Sequence, residues 1–454
     1  MTTDVSTSQP LDDRRRGEVF TYVGFDLDPE RNRVVCHYRL DDRDFREEIT
    51  FPGGGDWTHP AVAEAARLLF LLAGVSYYKA GAPPVIDLGS TAVTATERAF
   101  LRGYHLDGLG EFAHRNGLDL TDLQIVGPEL VRTAPTAYDP APGRPLIPFG
   151  GGIDSIVTVE LLRPNVDAPA LFVVNRPGDR FAAIEEPAAV TGLPVVRAER
   201  LIDEQVLRSR ELGFLNGHVP VTGIISAIAL VAAVLEGRDA VVMSNEWSAS
   251  SATLVVDGRA INHQYSKSEE FEAAFRGVVA EALGGRPEYF SLLRPFSELW
   301  IAGRFAEHPE YLDHFRSCNR AFHIDRSLRL DHWCGHCDKC SFIDLILAPF
   351  VPEEVLRRVF RGAEPLANPG LLETFRKLLA LTPDAKPWEC VGDEVESRVA
   401  ARLAADRADR QGNAVLATLV AESAGSADPP PDDLLRPLSA HHVPERYAPD
   451  TLLV

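Results

Sequence analysis

Apolar and polar residues alternate along residues 17–52 in three runs that turn-rich stretches separate from one another. A period of two is typical of strands that bury one face, so these runs predict a three-stranded antiparallel meander. Apolar residues then recur with the helical period over residues 62–73 and 96–112. We therefore predict an N-terminal α+β domain over residues 17–140.

The pattern changes at residue 145, where short apolar runs begin to alternate with helical segments. Strands are predicted at residues 145–149, 170–174, 194–198 and 240–244, and helices at residues 155–162, 181–191, 202–212 and 220–236. Strands that alternate with helices form a parallel sheet with crossover helices. The sequence therefore predicts an α/β fold whose parallel-sheet domain spans residues 141–345.

The longest run without any acidic, basic or histidine residue is residues 219–235. It is at the short limit for a membrane span and contains Pro220 and Gly223, so we predict a helix buried against the sheet. Residues 346–420 are predicted to be helical, and residues 421–454 to form a linker and tail. Residues 1–16 are predicted to be a disordered tail without a signal peptide.

The composition narrows the class of function. Acidic residues outnumber basic ones by 66 to 46, for a formal net charge of −20. Such a surface repels nucleic acid, so an RNA substrate is disfavoured. Six cysteines, four of them clustered, fit a reducing compartment, and we predict a cytoplasmic protein.

Three consecutive glycines, Gly150, Gly151 and Gly152, separate the strand at residues 145–149 from the following helix. Without Cβ atoms, their backbone N–H groups can approach an anion closely, and Asp154 and Ser155 fall in the first helical turn, where free N–H groups favour phosphate. Neither the Walker spacing nor G-x-G-x-x-G is present. A carboxylate beside phosphate also implies Mg²⁺ between them. The alternative is a plain turn between strand and helix.

Two further polar residues are predicted near this loop, because ligands bind beyond the carboxyl ends of parallel strands. Asn175 follows the second strand, where it is either a ligand contact or a turn residue. Lys267 is an isolated cation between two hydroxyl residues, and we predict that it contacts phosphate. The alternative is that this segment only caps the next helix through Ser268.

Four cysteines have metal-ligand spacing. Cys334, Cys337 and Cys340 are each separated by two residues, and Cys318 can supply a fourth thiolate. We predict a structural zinc site, because four thiolates leave no open position on the metal. An iron–sulfur cluster, or His332 or His336 in place of one cysteine, are the alternatives.

A second group of reactive side chains lies in the sequence Lys-Pro-Trp-Glu-Cys-Val-Gly, residues 386–392. Lys386, Glu389 and Cys390 could each move a proton, and we regard them as candidate catalytic residues. The alternative is a loop anchored by its tryptophan.

The glycine loop resembles the S-G-G-x-D-S loop of the PP-loop ATP pyrophosphatases, with Gly150 where that family usually has Ser. The resemblance implies that the loop binds the pyrophosphate of ATP while a substrate oxygen attacks the α-phosphorus. It also implies that Asp154 helps to place Mg²⁺, that Lys267 stabilises the leaving pyrophosphate, and that Asn175 meets the adenosine half. The cysteine spacing is similar to the zinc site of 7-cyano-7-deazaguanine synthase, another PP-loop enzyme.

Five blocks together resemble the MurL family, the UDP-N-acetylmuramoyl-L-alanyl-L-glutamate epimerases of bacterial cell-wall synthesis. They are the segments 73–80, 108–112, 150–158, 334–340 and 386–392. The resemblance implies ATP-dependent conversion of the terminal L-glutamate of UDP-MurNAc-L-Ala-L-Glu to D-glutamate through an acyl-adenylate. It also implies that the N-terminal domain recognises the UDP-muramoyl substrate, with cations such as Lys79. A PP-loop ligase and a non-enzymatic ATP sensor are the alternative functions.

Overall fold

The computed structural model describes residues 16–256, 258–323, 325–382, 387–389 and 391–452. These residues form an α/β protein, as the sequence predicts, with a mixed ten-stranded sheet and a separate hairpin. The strands are β1 Val19–Asp28, β2 Arg33–Leu40, β3 Arg43–Thr50, β4 Val85–Asp87, β5 Gln124–Val126, β6 Pro145–Pro148, β7 Ala170–Asn175, β8 Val195–Leu201, β9 Ala240–Met243, β10 Leu254–Val256, β11 Arg259–Ile261 and β12 Glu288–Ser291.

The α-helices lie between and after these strands. They are α1 Pro60–Ala73, α2 Val75–Tyr78, α3 Ala95–Leu106, α4 Gly110–Asn116, α5 Ile153–Leu162, α6 Ala182–Thr191, α7 Glu204–Leu207, α8 Val221–Leu235, α9 Glu269–Leu283, α10 Glu298–Ala306, α11 Asp338–Leu347, α12 Glu353–Val359, α13 Leu372–Leu378, α14 Glu394–Ala405, α15 Ala414–Ser423 and α16 Pro431–Leu434.

The large sheet runs in the order β12-β9-β6-β7-β8-β3-β2-β1-β4-β5. Its first five strands are parallel, and β3, β2 and β1 form the predicted antiparallel meander. Strand β3 pairs antiparallel with β8, so the meander continues the parallel sheet. The short strands β4 and β5, parallel to β1, extend the far edge and were not predicted.

A buried ion pair crosses the junction between β3 and β8. Arg200 donates from Nε to the Glu47 carboxylate over 2.6 Å and also donates to Ser76 Oγ over 3.0 Å. The Glu47 side chain is fully buried. Because a lone buried charge is costly, this pair favours the observed strand pairing over its alternatives.

Apolar cores cover both faces of the sheet, and the neighbouring residues Leu146 and Ile147 of β6 belong to different cores. Helices α1, α8 and α9 contribute to the first core, and α5, α10, α11 and α14 to the second. Helix α8 is the predicted buried helix. Within the described part of the chain, one apolar stretch, Pro60–Tyr78, has the length of a membrane span, and 89% of its tested window is buried inside the protein.

Two predicted helices differ from the observed ones. The segment 96–112 is interrupted between α3 and α4, where a Cβ on Gly108 would overlap the carbonyl oxygen of Tyr104. The helix predicted over residues 202–212 is limited to α7. In both cases a local turn ends a pattern that the apolar period alone would have continued.

The two ends of the described chain contact the rest of the protein. Residues 1–15 of the predicted tail lie outside the described residues, whereas Arg16 donates to Asp122. Near the other end, Leu434 accepts a hydrogen bond from Ser297, and the Tyr447 hydroxyl donates to Asp239 over 2.6 Å. Residues 421–452 are therefore held against the sheet and its helices.

Candidate active site

The glycine loop lies between β6 and α5, at the carboxyl end of the central strand. Gly151 has a φ of +76°, and a Cβ on it would overlap the carbonyl oxygen of Ala183. Gly152 precedes the first turn of α5, where Ser155 Oγ donates back to the Gly152 carbonyl over 3.0 Å. The loop thus has the bare backbone and the free helix N-terminus that an anion-binding loop requires.

A cleft of about 360 Å³ opens beside this loop. Its floor is formed by the ends of the parallel strands and its rim by polar residues from several loops. Among the residues that line it are Gly150, Gly152, Asp154, Ser155, Val174, Thr222, Ser244, Asn245, Lys267, Ser317 and Lys339. Five of these were predicted site residues, so the structure brings the loop and Lys267 together.

Three carboxylates lie close together, and one of them, Asp154, lines the cleft. Oxygen atoms of Asp154, Glu246 and Glu298 all lie within 4.8 Å of one another. Burial, followed by the charges of Asp154 and Glu246, raises the pKa of Glu298 well above its usual range. An all-oxygen set with this much negative charge fits Mg²⁺, which would neutralise it beside a phosphate.

Arg294 holds two sides of the cleft together. This fully buried side chain donates to the backbone carbonyls of Glu246 and Lys267 over 2.7 and 2.6 Å, and its Nε pairs with Glu272 over 3.0 Å. Lys267 Nζ donates to Gln264 over 3.2 Å. Lys267 therefore faces the cleft from a backbone segment fixed to the segment that carries Glu246.

The alternatives for Lys267 and Asn175 resolve differently. Ser268 does cap α9, accepting from the N–H of Phe271, yet Lys267 also lines the cleft. Asn175 ends β7, is 7% exposed and donates to the Arg176 carbonyl over 2.7 Å. The described lining of the cleft includes Val174 but not Asn175. The Asn175 contact with adenosine remains a prediction.

The four predicted cysteines converge. The sulfur atoms of Cys318, Cys334, Cys337 and Cys340 lie within 4.8 Å of one another, with Sγ–Sγ distances from Cys340 of 3.4 Å to Cys337 and 3.6 Å to Cys334. Tetrahedral zinc with bonds of about 2.3 Å separates sulfurs by roughly 3.8 Å, so the donor set fits zinc.

The two histidines offered as alternative ligands are bonded elsewhere. His332 Nδ1 lies 2.6 Å from Asp331 Oδ1, and His336 Nδ1 lies 2.6 Å from the carbonyl oxygen of Cys334. The cysteine cluster also adjoins the cleft, because Ser317 precedes Cys318 and Lys339 precedes Cys340, and both residues line the cleft. A metal here would position cleft residues without taking part in the chemistry.

The segment 386–392 is described only in part. Lys386 and Cys390, two of the candidate catalytic residues, lie outside the described residues. Glu389 accepts a hydrogen bond from Asn319 over 2.8 Å. Trp388 lies against His114, with ring centroids 6.0 Å apart, and is anchored as the alternative interpretation expects.

Sequence reasoning missed Lys339 as a residue of the cleft and Glu298 as a neighbour of Asp154. Glu298 follows the helix cap Ser297, so in sequence it is an ordinary acidic residue of a first helical turn. Lys339 lies inside the cysteine motif, which the spacing of its cysteines explains as a metal site without any role for the lysine. The only signal in the chain for Lys339 was its position between two predicted ligands.

Most of the chain is similar in sequence to proteins of one known family. A model of the MurL N-terminal domain matches residues 11–292, and a model of the MurL C-terminal domain matches residues 314–433. The UDP-N-acetyl-alpha-D-muramoyl-L-alanyl-L-glutamate epimerase of Xanthomonas oryzae pv. oryzae is 38% identical over 446 residues, covering 95% of this chain and 96% of that protein.

Two further relatives carry the same name. That of Salinispora tropica is 40% identical over 424 residues, 90% of each chain. That of a Micromonospora species is 39% identical over 454 residues, covering 97% of this chain and 99% of the relative. The similarity therefore extends over both the cleft and the cysteine cluster.

Proposed function

Because this chain belongs to the MurL family, we propose that it is an ATP-dependent epimerase of the terminal glutamate of UDP-MurNAc-L-Ala-L-Glu. The product carries D-glutamate, and the reaction passes through an acyl-adenylate with release of AMP and pyrophosphate. The activity is the one for which the three relatives are named, and the dependence on ATP is specific to this proposal.

Adenylation makes the α-proton of the terminal glutamate easier to remove. Removal of a proton next to a carboxylate places a second negative charge beside the first. An acyl-adenylate has no such carboxylate charge, and its carbonyl can accept the electron pair that the C–H bond releases. A modest base is then strong enough to remove the proton.

The residues of the cleft have separate roles in this proposal. The N–H groups of Gly150, Gly151 and Gly152 and the start of α5 bind the pyrophosphate part of ATP. Asp154 would hold Mg²⁺, which would supply positive charge beside the phosphates, and Lys267 would stabilise the departing pyrophosphate.

One observation supports the proposal more than any other. The glycine loop, Asp154 and two lysines, Lys267 and Lys339, line one cleft at the carboxyl edge of a parallel sheet, and the carboxylates of Glu246 and Glu298 lie within 4.8 Å of Asp154. This combination of a bare backbone, a site for a hard cation and cationic side chains suits a nucleoside triphosphate.

The test incubates UDP-MurNAc-L-Ala-L-Glu with the protein, ATP and Mg²⁺ in D₂O, and measures AMP and deuterium at the glutamate α-carbon. We expect both to form together, and both to fall at least about 100-fold in Asp154→Asn. Asp42→Asn changes an exposed carboxylate outside the cleft and should leave both unchanged.

Three outcomes would contradict the proposal. Deuterium uptake without ATP would exclude adenylation. AMP formation that requires ammonia, without deuterium uptake, would indicate a ligase. ATP binding without any AMP would indicate a sensor.

We also propose a cytoplasmic location, which the cysteine content supports.

A further inference from the structure

A second cluster of titratable side chains lies close to the cleft, where Glu111 of α4 meets His218 and His263. Ligand atoms of the three residues all lie within 4.8 Å of one another. His263 Nδ1 is 2.5 Å from Glu111 Oε2, and the rings of His218 and His263 have centroids 4.3 Å apart. The Glu111 and His263 side chains are only 6% and 12% exposed.

The protonation of the cluster follows from its contacts. Burial acts to raise the pKa of Glu111, but the hydrogen bond from His263 and the charge of Arg115 help to lower it overall. Glu111 is therefore a carboxylate and only accepts hydrogen bonds. Since Nδ1 of His263 must be the donor, Nε2 is the ring atom that can take up a proton.

His218 differs from His263. Burial lowers the pKa of His218 to about 4, and positive charge on His263, Lys79 or Lys267 acts in the same direction against the opposing effect of Glu111. The His218 ring is consequently neutral near pH 7. A proton taken up by His263 is thus balanced by Glu111 and faces no second imidazolium.

Two lysines lie near this cluster, and one of them, Lys267, also lines the cleft. Lys267 lines the cleft and is near enough to influence His218. Lys79 is 8% exposed, donates to Asn216 Oδ1 over 3.0 Å, and is also near His218. Two cations near the histidines suit a reaction in which negative charge develops.

Trp388 bounds the cluster on another side. Its ring centroid lies 6.5 Å from that of His263, and Arg115 stacks on it at 5.4 Å. Trp388 therefore lies beside the histidines.

We propose that His263 is the catalytic base that removes the glutamate α-proton and that Glu111 is its positioning residue. This inference rests on the proposed function. The Cα–H bond breaks, its electron pair moves into the acyl carbonyl to form an enolate, and the proton binds His263 Nε2. Water then protonates the opposite face of Cα, and the imidazolium gives its proton to the resulting hydroxide.

The experiment separates adenylation from proton transfer. Substrate-dependent exchange of labelled pyrophosphate into ATP reports adenylation, and deuterium at the α-carbon reports proton transfer. In His263→Gln we expect deuterium uptake to fall at least about 100-fold while pyrophosphate exchange stays within about threefold of wild type. His37→Gln is the matched control, because His37 also pairs with a carboxylate, Asp26, but is exposed.

Glu111 is tested by coupling to His263. We expect Glu111→Gln to lower deuterium uptake about 10- to 100-fold, and the double variant to be no slower than His263→Gln alone. If the two residues had independent structural roles, the losses of deuterium uptake in the two single variants would instead multiply in the double variant. Added imidazole should restore deuterium uptake in His263→Ala, which it would not do for a residue that only supports the fold.

Each contrary result has a distinct meaning. Wild-type deuterium uptake in His263→Gln, or a parallel fall in pyrophosphate exchange, would overturn the assignment. So would loss of one bound metal per chain in His263→Gln relative to His37→Gln, which would make the cluster a metal site. If the wild-type protein itself showed no substrate-dependent pyrophosphate exchange, the proposed function would fail first, whatever the variants did.

Discussion

Gly151 controls the shape of the cleft through a single backbone position. Its left-handed φ of +76° disfavours any side chain, and its lack of a Cβ lets α6 approach the loop at Ala183 and Ile184. Strain and overlap therefore act together at this residue, and both act on the loop that is proposed to bind phosphate.

We expect Gly151→Ala to weaken ATP binding at least about tenfold and to lower the free energy of unfolding by about 1–3 kcal/mol. Gly213→Ala is the matched control, since Gly213 has a φ of +71° but open space around its Cβ position. Calorimetric titration with ATP and denaturant unfolding measure the two effects. Equal ATP affinity in both variants would show that the close approach to α6 does not matter.

His105 carries a separate prediction about pH. It is fully buried between Tyr78 and Tyr104, and burial lowers its pKa to about 4. An unfolded histidine titrates near 6.5, so between pH 6.5 and 4 the unfolded chain binds more protons. Stability is therefore lost as the pH falls through this window.

We expect the wild-type protein to lose about 2 kcal/mol more unfolding free energy between pH 7 and pH 5 than His105→Phe, which keeps the ring packing. His114→Phe alters an exposed histidine and should follow the wild-type pH dependence. Denaturant unfolding at several pH values measures the difference. Parallel curves for wild type and His105→Phe would contradict the prediction.

At the scale of single elements, helix α11 links the cysteine cluster to the cleft. Cys337 caps the helix and Cys340 lies in its first turn, so both sulfurs face the cluster while Lys339 between them lines the cleft. Gly335 makes the tight turn before the helix with a φ of +71°. A metal would thus fix the start of this helix.

We expect Cys337→Ser to lose the single bound zinc and to weaken ATP binding about tenfold, because Lys339 and Ser317 would no longer be held at the cleft. Cys36→Ala removes a buried cysteine outside the cluster and should retain the zinc. Metal analysis and ATP titration give the readouts. Iron in place of zinc would favour the iron–sulfur alternative, and unchanged ATP affinity would separate the cluster from the cleft.

For the molecule as a whole, the junction between β3 and β8 joins the meander to the parallel sheet. The pairing includes the buried contact of Glu47 with Arg200, and helix α1 of the first part packs with α8 of the second in one core. Neither part covers its own apolar surface at this junction. Stability is therefore shared across the whole sheet.

We expect residues 1–140 produced alone to lack a cooperative unfolding transition, because the partners of β3 and α1 would be missing. Circular dichroism during thermal unfolding measures this. The full chain should unfold in a transition that includes the meander, and a fragment with its own sharp transition would contradict the prediction. Some helical signal in the fragment that decreases gradually, without a cooperative transition, would agree with the prediction.

The sequence by itself determined the features that depend on near neighbours in the chain. The meander, most helices, the glycine loop and the four cysteines follow from apolar period, missing Cβ atoms and ligand spacing. Each of these signals lies within a few consecutive residues. Cys318 is the exception, since it was grouped with the other three cysteines only because it is also a thiol. The MurL resemblance was carried by such local blocks.

Only the tertiary structure decided which distant residues meet. Glu111 and His263 are 152 residues apart in sequence, and Glu47 and Arg200 are 153 apart. Glu246 and Glu298 likewise join Asp154 from separate elements. In the sequence these are ordinary charged residues. They form a site only where strand order and helix packing bury them together, because a charge that is removed from water is stable only beside a partner of opposite charge or a hydrogen-bonding group.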